Sequence, residues 1–527
     1  MAITVSGISV PLPGGEEQIK EAAAKRLGIR KEDIACARVK RQSLDCRRKH
    51  IRLVYTLHVT LGDTALQSRL EAKFGSAEEY SEPRIEYGTL DAGRVIVVGA
   101  GPCGLFAALT LARHGYKPLL IERGKSIDER VGDVEALMLH GELDEESNVC
   151  FGAGGAGAFS DGKLTTRIKD LRAERVIEML ADFGAPGEIR YEAKPHTGTE
   201  NIRKAVKNIT ARIEELGGEV WFSCKLSGIH LSRETLSRIT YIKDGREHSL
   251  ETRALILAIG HSARDTYEML CRSGVIVTPK PFAVGLRIEH RREFIDRAQY
   301  GEALGNPMLG AAEYRLTGKS GGRSVYTFCM CPGGEVICSA TEQRALAVNG
   351  MSYYARDAEN SNSAIVVSVG PEDFAAGPLG GVEFQRIFER AAYSEAFKAP
   401  VQTVGGFLKG RASAGFGDVT PSYRPGTYFR DLSDCLPRAV SAALKAGITQ
   451  FGSKMKGFDM PDAVLTGVET RTSAPVRILR GSGLQAEGIT GLFPAGEGAG
   501  YAGGIVSAAV DGIKCAEKLM SIYERPQ

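Results

Sequence analysis

The segment Arg94–Ile121 constrains this chain more than any other. An apolar strand, Arg94 to Val98, runs into Val97-Val98-Gly99-Ala100-Gly101-Pro102-Cys103-Gly104. A helix is predicted from about Gly104 to His114, and the next strand from Pro118 to Ile121. This β-α-β order opens a parallel sheet that binds its ligand at the strand ends. Gly99 permits the tight turn. Gly101 lets the backbone approach a pyrophosphate, and Gly104 lets the helix pack closely on the strand. Pro102 and Cys103 lie between them, where the helix offers free N–H groups and its positive end. Glu122 ends the second strand, 18 residues beyond Gly104, with Arg123 beside it. A carboxylate there would take the two hydroxyls of an adenosine ribose. Together these features predict a bound dinucleotide.

The other end of the chain indicates which one. Gly491-Leu492-Phe493-Pro494-Ala495-Gly496-Glu497-Gly498 is a short strand entering a glycine turn, and a helix from about Gly504 to Met520 follows. The arrangement resembles the late strand of glutathione-reductase-type flavoproteins. In those, the acid after the glycine holds the ribityl chain and the next helix points its N-terminus at the flavin. The resemblance gives Glu497 the ribityl or phosphate region, and the amides of Gly503, Gly504 and Ile505 the pyrimidine edge. A helix dipole stabilises the negative charge of a reduced flavin.

Two further segments fit the same ligand. Residues 151–162 hold five glycines and three alanines in twelve positions. Gly155, Ala156, Gly157, Ala158 and Ser160 can therefore lie flat against a planar ring, with a flexible surface loop as the alternative. The apolar strand Ala254–Ile259 ends in Gly260-His261-Ser262; it resembles the strand before the substrate-domain crossover of the same flavoproteins, and that resemblance would put Gly260 and Ser262 beside the adenosine or pyrophosphate.

The whole pattern resembles the bacterial uncharacterised FAD-dependent dehydrogenases, NAD(P)/FAD-dependent oxidoreductases with a small extra N-terminal domain. The resemblance rests on the first glycine turn, the run Gly154–Leu164, Lys280–His290, Cys329-Met330-Cys331-Pro332-Gly333-Gly334, and Gly467–Arg477. It implies an α/β protein with a Rossmann-like FAD domain that is discontinuous in sequence, at 93–274 and 481–527. A mostly β substrate domain is inserted at 275–480, because strand–helix alternation fades there. Residues 1–88 read as a ferredoxin-like α+β domain in the order β-α-β-β-α-β, with a weak last strand at Arg84 to Tyr87. The implied activity is hydride transfer between non-covalent FAD and a small organic substrate. No second GxGxxG lies between residues 260 and 480, so NAD(P)H is expected only as a transient reductant.

Composition excludes other classes. The net charge of +3 over 527 residues implies neither a nucleic-acid nor a membrane partner. No apolar run reaches about 18 residues, and the N-terminus lacks a signal-like apolar core. Eleven cysteines in such a chain point to reduced thiols and a cytoplasmic location. The stretch Arg38–Arg52 carries seven Lys or Arg and one acid. It reads first as a solvated hairpin. The alternative is a dock for RNA or an acidic protein, which would make the protein a flavoprotein with a macromolecular partner.

Catalytic candidates come from the inserted domain. Arg287 could bind a substrate carboxylate, and His290 could serve as general acid or base. Arg471 and Ser473 lie where the chain is about to re-enter the FAD domain, and so face the ring by location. Cys329 and Cys331 share one face of a predicted strand, about 6.5–7 Å apart, which is wide for a disulfide. They read first as structural cysteines, with a redox or nucleophilic thiol or a metal site as alternatives. No metal site is expected.

Overall fold

The computed structural model describes residues 2–46, 51–78 and 80–526. Five short parallel strands form its centre, in the order Leu492–Pro494, Leu255–Leu257, Ile96–Val98, Leu119–Ile121 and Glu219–Trp221. Every strand but the last is apolar at all its positions, as expected for a sheet covered on both faces. Alternation divides them. Val97, Leu120, Ile256 and Phe493 join a core with the helices Pro102–Arg113, Gly198–Glu215 and Ile505–Met520. Ile96, Leu119, Leu255 and Leu492 meet Ile229, Leu236 and Ile239 on the opposite face. Those last residues belong to a three-stranded antiparallel sheet, Cys224–Ser232, Thr235–Lys243 and Arg246–Glu251. The alternating helices and strands expected through residue 260 therefore give way to a β-meander between 224 and 251. The late strand Leu492–Pro494 completes the parallel sheet although it lies some 230 residues further along the chain.

The inserted region is built on a seven-stranded sheet. Its order is Thr317–Ser320, Arg323–Cys331, Asn360–Val369, Phe282–Arg291, Val464–Glu469, Ala399–Thr403 and Thr427–Phe429. The helix Arg438–Lys454 buries Val440, Leu444, Ile448 and Phe451. A two-stranded ribbon, Val277–Pro279 with Val476–Ile478, carries the chain out of the parallel sheet and back again.

The N-terminal unit forms β-α-β-β-α, with its three strands in the order Ile3–Pro11, Arg52–Leu61, Ile34–Asp45. The fourth strand expected at Arg84–Tyr87 is not a strand. Its place beside Ile3–Pro11 is taken by one bridge, Ile3 with Ser76. The chain leaves there because Gly88 N and Leu90 N donate instead to Met520 O and Ile522 O of the C-terminal segment. The described part of the basic stretch is used internally. Gln42 pairs through its backbone with Tyr191 and Ala193, Lys40 binds Glu174 at 2.5 Å, and Arg52 binds Ser9 at 2.7 Å. Residues 47–50 of that stretch lie outside the described residues.

Candidate FAD site

The C-terminal ends of Ile96–Val98 and Leu255–Leu257 open into a cavity of about 430 Å³. It runs from the parallel sheet to the inserted domain. Its walls include Gly99, Gly101, Pro102, Cys103, Glu122, Arg123, Gly155, Ala156, Gly157, Ser160, Gly260, Glu497, Gly503, Gly504 and Ile505. Three other predicted residues lie behind the wall. Gly104 packs the helix on the turn, since a Cβ there would stand 1.8 Å from Gly99 O. Gly496 abuts Cys103, and Ala158 is buried.

The first turn tolerates no substitution at its start. Gly99 has φ +100°, and a Cβ there would lie 2.3 Å from Ala258 O. We expect Gly99→Ala to distort the turn and to purify with little or no bound flavin, read from the ratio of 450-nm to 280-nm absorbance. Full flavin content would show that the turn does not shape the site. Backbone strain of this kind costs about 1–3 kcal/mol before the clash is added.

The loop at 151–162 is fixed in place. Gly155–Phe159 is one 3₁₀ turn, and its Gly155 lies so near Gly101 that a Cβ would be 3.1 Å from the Gly101 Cα. Arg130 holds it. This side chain is fully buried and donates to the carbonyls of Asn148, Val149, Gly152, Ala153 and Gly155 at 2.6–3.2 Å. Its guanidinium also faces the Phe159 ring, with Arg203 on that ring at 4.0 Å. Burial pulls the Arg130 pKa down to about 10, which leaves it charged at neutral pH. Sequence reading missed Arg130, because its five partners are backbone carbonyls that no residue type announces.

Glu122 is tied into the backbone around it. Its two oxygens accept from Ala100 N at 2.7 Å and from Gly124 N and Gly152 N at 2.9 Å. It therefore ties the first turn to the loop, with one of its roughly four acceptor sites left over. Arg123 is held by Asp265 at 2.9 Å and Glu146 at 2.6 Å, and stacks on Phe151. At the far end, burial pushes the Glu497 carboxyl up to about 7, and Lys280 opposes the shift. Among the described residues no donor is bonded to that carboxyl. The amide of Gly503 is turned to Ser507 Oγ at 3.2 Å, so the open N–H groups of the Ile505–Met520 helix begin after it.

The catalytic candidates separate. Arg471 lines the cavity, but its guanidinium is already engaged by Glu389 at 2.8 and 3.0 Å and by Thr341 at 2.5 Å. Ser473 is outside the lining, and its hydroxyl faces Lys280 Nζ at 3.4 Å; its neighbour Thr472 takes the wall position. Arg287 is fully buried behind the wall, bonded to Glu469 at 3.0 Å and Asn362 at 2.6 Å, so it does not bind a carboxylate substrate directly. His290 is excluded from the site. It points to the opposite face of its strand from Arg287, as odd and even positions must. There its Nε2 meets Phe458 O at 2.8 Å among Phe294 and Phe458, and burial lowers its pKa to about 4. His261, which sequence reading passed over, lines the wall instead. Burial and the nearby Arg471 and Arg264 hold it down to about 4 and therefore neutral. Glu469, Cys329, Asn349 and Phe328 complete this end.

Residues 93–275 match the family model described as pyridine nucleotide-disulphide oxidoreductase. Residues 281–472 match that of FAD-dependent protein, C-terminal domain-like, and residues 2–60 a domain of unknown function. An "Uncharacterized protein" of Clostridium beijerinckii is 49% identical over 537 residues, covering 100% of both chains. Two solved structures are similar at a greater distance. A geranylgeranyl bacteriochlorophyll reductase-like protein of Thermoplasma acidophilum is 12% identical, over 81% of this chain and 77% of that one, with a TM-score of 0.36. A flavoprotein/dehydrogenase of Cytophaga hutchinsonii is 12% identical over 81% and 76%, with a TM-score of 0.35. No helix among the described residues is long and apolar enough to cross a membrane. The chain belongs to one family with its full-length Clostridium relative, and its two matched segments make it an FAD-dependent oxidoreductase.

Proposed function

We propose that this oxidoreductase moves a hydride between non-covalent FAD and a small organic substrate that enters between Phe328, Asn349 and Glu469. The observation that carries the reading is the Glu497 carboxyl. It is half-buried in the cavity wall, has no protein donor among the described residues, and shares that cavity with an open helix N-terminus. Such a group needs a hydroxyl donor from a ligand, and the ribityl chain of FAD carries several.

The remaining walls suit the rest of the cofactor. Gly101 and Gly155 present main chain only, so a pyrophosphate can approach the N-terminus of Pro102–Arg113. The spare acceptor site of Glu122 serves a ribose hydroxyl. The helix Ile505–Met520 favours negative charge near its start. FAD, when bound, supplies the two-electron chemistry. Neutral His261 and the Glu469 carboxyl, pushed up to about 7 by burial, are the groups able to hold or accept a proton there near neutral pH.

The purified protein should be yellow, with a 450-nm band. An anaerobic screen with NADH, NADPH and a metabolite library should find a reductant that bleaches it. Protein that stays colourless after FAD is added would sink the reading. Glu497→Ala should weaken FAD binding about 10–100-fold, the worth of a charge-assisted hydrogen bond of about 1.5–3 kcal/mol. Fluorescence titration of the apoprotein measures it, and equal affinity in wild type and variant would remove Glu497 from the site.

A further inference from the structure

The pair Cys329 and Cys331 is not used by the reaction above, and its geometry is unlike that of two packed structural cysteines. In the strand Arg323–Cys331, Phe328 pairs with Ala364 but Cys331 pairs with Asn362. Three steps along this strand therefore cover two on its partner, which is a β-bulge. Bulges bend a strand and re-aim a side chain. Cys329 sits in the bulge with φ +42°, a conformation rare for any residue but glycine. Its side chain lines the cavity, whereas Cys331 is fully buried behind it. The Cys331 thiol donates to Cys329 O at 3.5 Å, so the two residues face each other across the bulge.

Charged groups surround the pair on every side. Arg287 Nη2 donates to Cys329 O at 2.8 Å and to Cys331 Sγ at 3.6 Å. Lys163 binds the intervening Met330 carbonyl. Lys163 is also 4.0 Å from Asp161, which Arg356 holds at 2.5 Å. Glu469, bonded to Arg287, lines the same end of the cavity. The consequence is asymmetric. A hydrogen bond from the Cys331 thiol, with Arg287 and Lys163 behind it, brings the Cys329 thiol down to about 6, while Cys331 is raised well above its ordinary value. The cavity-facing sulfur is thereby favoured as the thiolate and the shielded one as the thiol.

We propose that Cys329 and Cys331 form a dithiol–disulfide couple at the substrate end of the cavity, and that its substrate is a small organic disulfide. The couple lies in the inserted domain, outside the stretch 93–275 that matches the pyridine nucleotide-disulphide oxidoreductase model. The Cys329 thiolate attacks one sulfur of the substrate, forming a mixed disulfide and releasing the first thiolate. Cys331 gives up its proton to that thiolate. It then attacks Cys329 Sγ, releasing the second thiolate and closing the Cys329–Cys331 bond. The substrate gains two electrons and the protein dithiol loses two. Two electrons and one proton restore the pair; for the electrons alone the proposal rests on the FAD reading, since bound flavin is their source.

The test uses the purified full-length holoenzyme, with flavin content read separately at 450 nm, so that failure of the FAD reading and failure of the couple are distinct results. Iodoacetamide alkylation is followed by peptide mass spectrometry across pH 5–9. Cys329 should react at least tenfold faster at pH 6.5 than the exposed Cys36. Its rate should rise through a midpoint below 7, and Cys331→Ala, which removes the hydrogen bond that serine would keep, should move that midpoint up. Oxidised glutathione should leave the wild type with an internal Cys329–Cys331 bridge and no retained glutathione. In Cys331→Ser it should stop at a glutathione adduct on Cys329, and in Cys329→Ser neither product should form. Far-UV circular dichroism checks that both serine variants fold, and Cys331→Ala stands in if serine is not tolerated. The proposal is overturned if Cys329 reacts no faster than Cys36, or if the wild type also retains glutathione.

Discussion

Arg130→Met should purify colourless and lose about 3 kcal/mol or more of stability. Five carbonyls from the loop segment 148–155 converge on this one guanidinium. Methionine matches much of its length and removes every donor. The carbonyls are buried, so each loses a partner that water cannot replace, at about 1–3 kcal/mol for an unsatisfied group before relaxation. The loop would relax by opening to solvent, and that opening would destroy the wall formed by Gly155, Ala156 and Gly157. Loss of flavin and loss of stability should therefore appear together. Arg130→Lys keeps the charge but offers three donors on a point rather than five on a planar fork, and should recover only part of both. Flavin content and a urea melt decide the matter. Full flavin content in Arg130→Met would mean that the loop holds its shape without the clamp.

The second large effect belongs to Glu389. This carboxylate is fully buried and clamped between two guanidiniums, Arg264 at 2.7 and 2.9 Å and Arg471 at 2.8 and 3.0 Å. Thr470 Oγ1 adds a third donor at 2.6 Å. Glu389→Gln keeps the shape and removes the charge, leaving two buried cations with only Glu342 on the Arg264 side to offset them. Breaking a buried ion pair in this way costs about 3–5 kcal/mol. The same cluster sets an acid limit. Arg264 and Arg471 hold the Glu389 carboxyl far below its ordinary 4.5, against the opposing pull of burial. Below about pH 4.5 the unfolded chain takes up a proton that the folded chain refuses, so stability falls as the pH is lowered. Urea midpoints from pH 7 to pH 3 should drop in the wild type, and drop less steeply in Glu389→Gln. Parallel slopes would show that other carboxylates set the acid limit. Arg471 is thus a charge fixed by its neighbours, presented to the cavity wall rather than free to clamp a substrate.

What sequence alone could determine here was local. Gly99 is required by a positive φ and a carbonyl 2.3 Å from its missing Cβ. Both follow from a strand turning directly into a helix, so the turn could be read from its spacing. The apolar strands could be read because a sheet covered on both faces leaves no polar positions. The order of the distant strand Leu492–Pro494 was legible only because its glycine turn repeats the logic of the first. The short meander at 224–251 was not, since its outward positions are polar and its strands are separated by turns of only two residues. Tertiary structure decided everything that depends on partners remote in sequence. Strand parity sent His290 into an aromatic core and Arg287 toward Asn362 and Glu469, three residues apart but on opposite faces. A one-residue bulge, set by pairing with Asn360–Val369, turned Cys329 into the cavity. Five carbonyls made Arg130 a clamp. Residue type fixes what a side chain can do, but burial, direction and the charge of its neighbours are set by chain segments that meet only on folding. For that reason the cofactor could be read from the sequence, and the substrate end only from the fold.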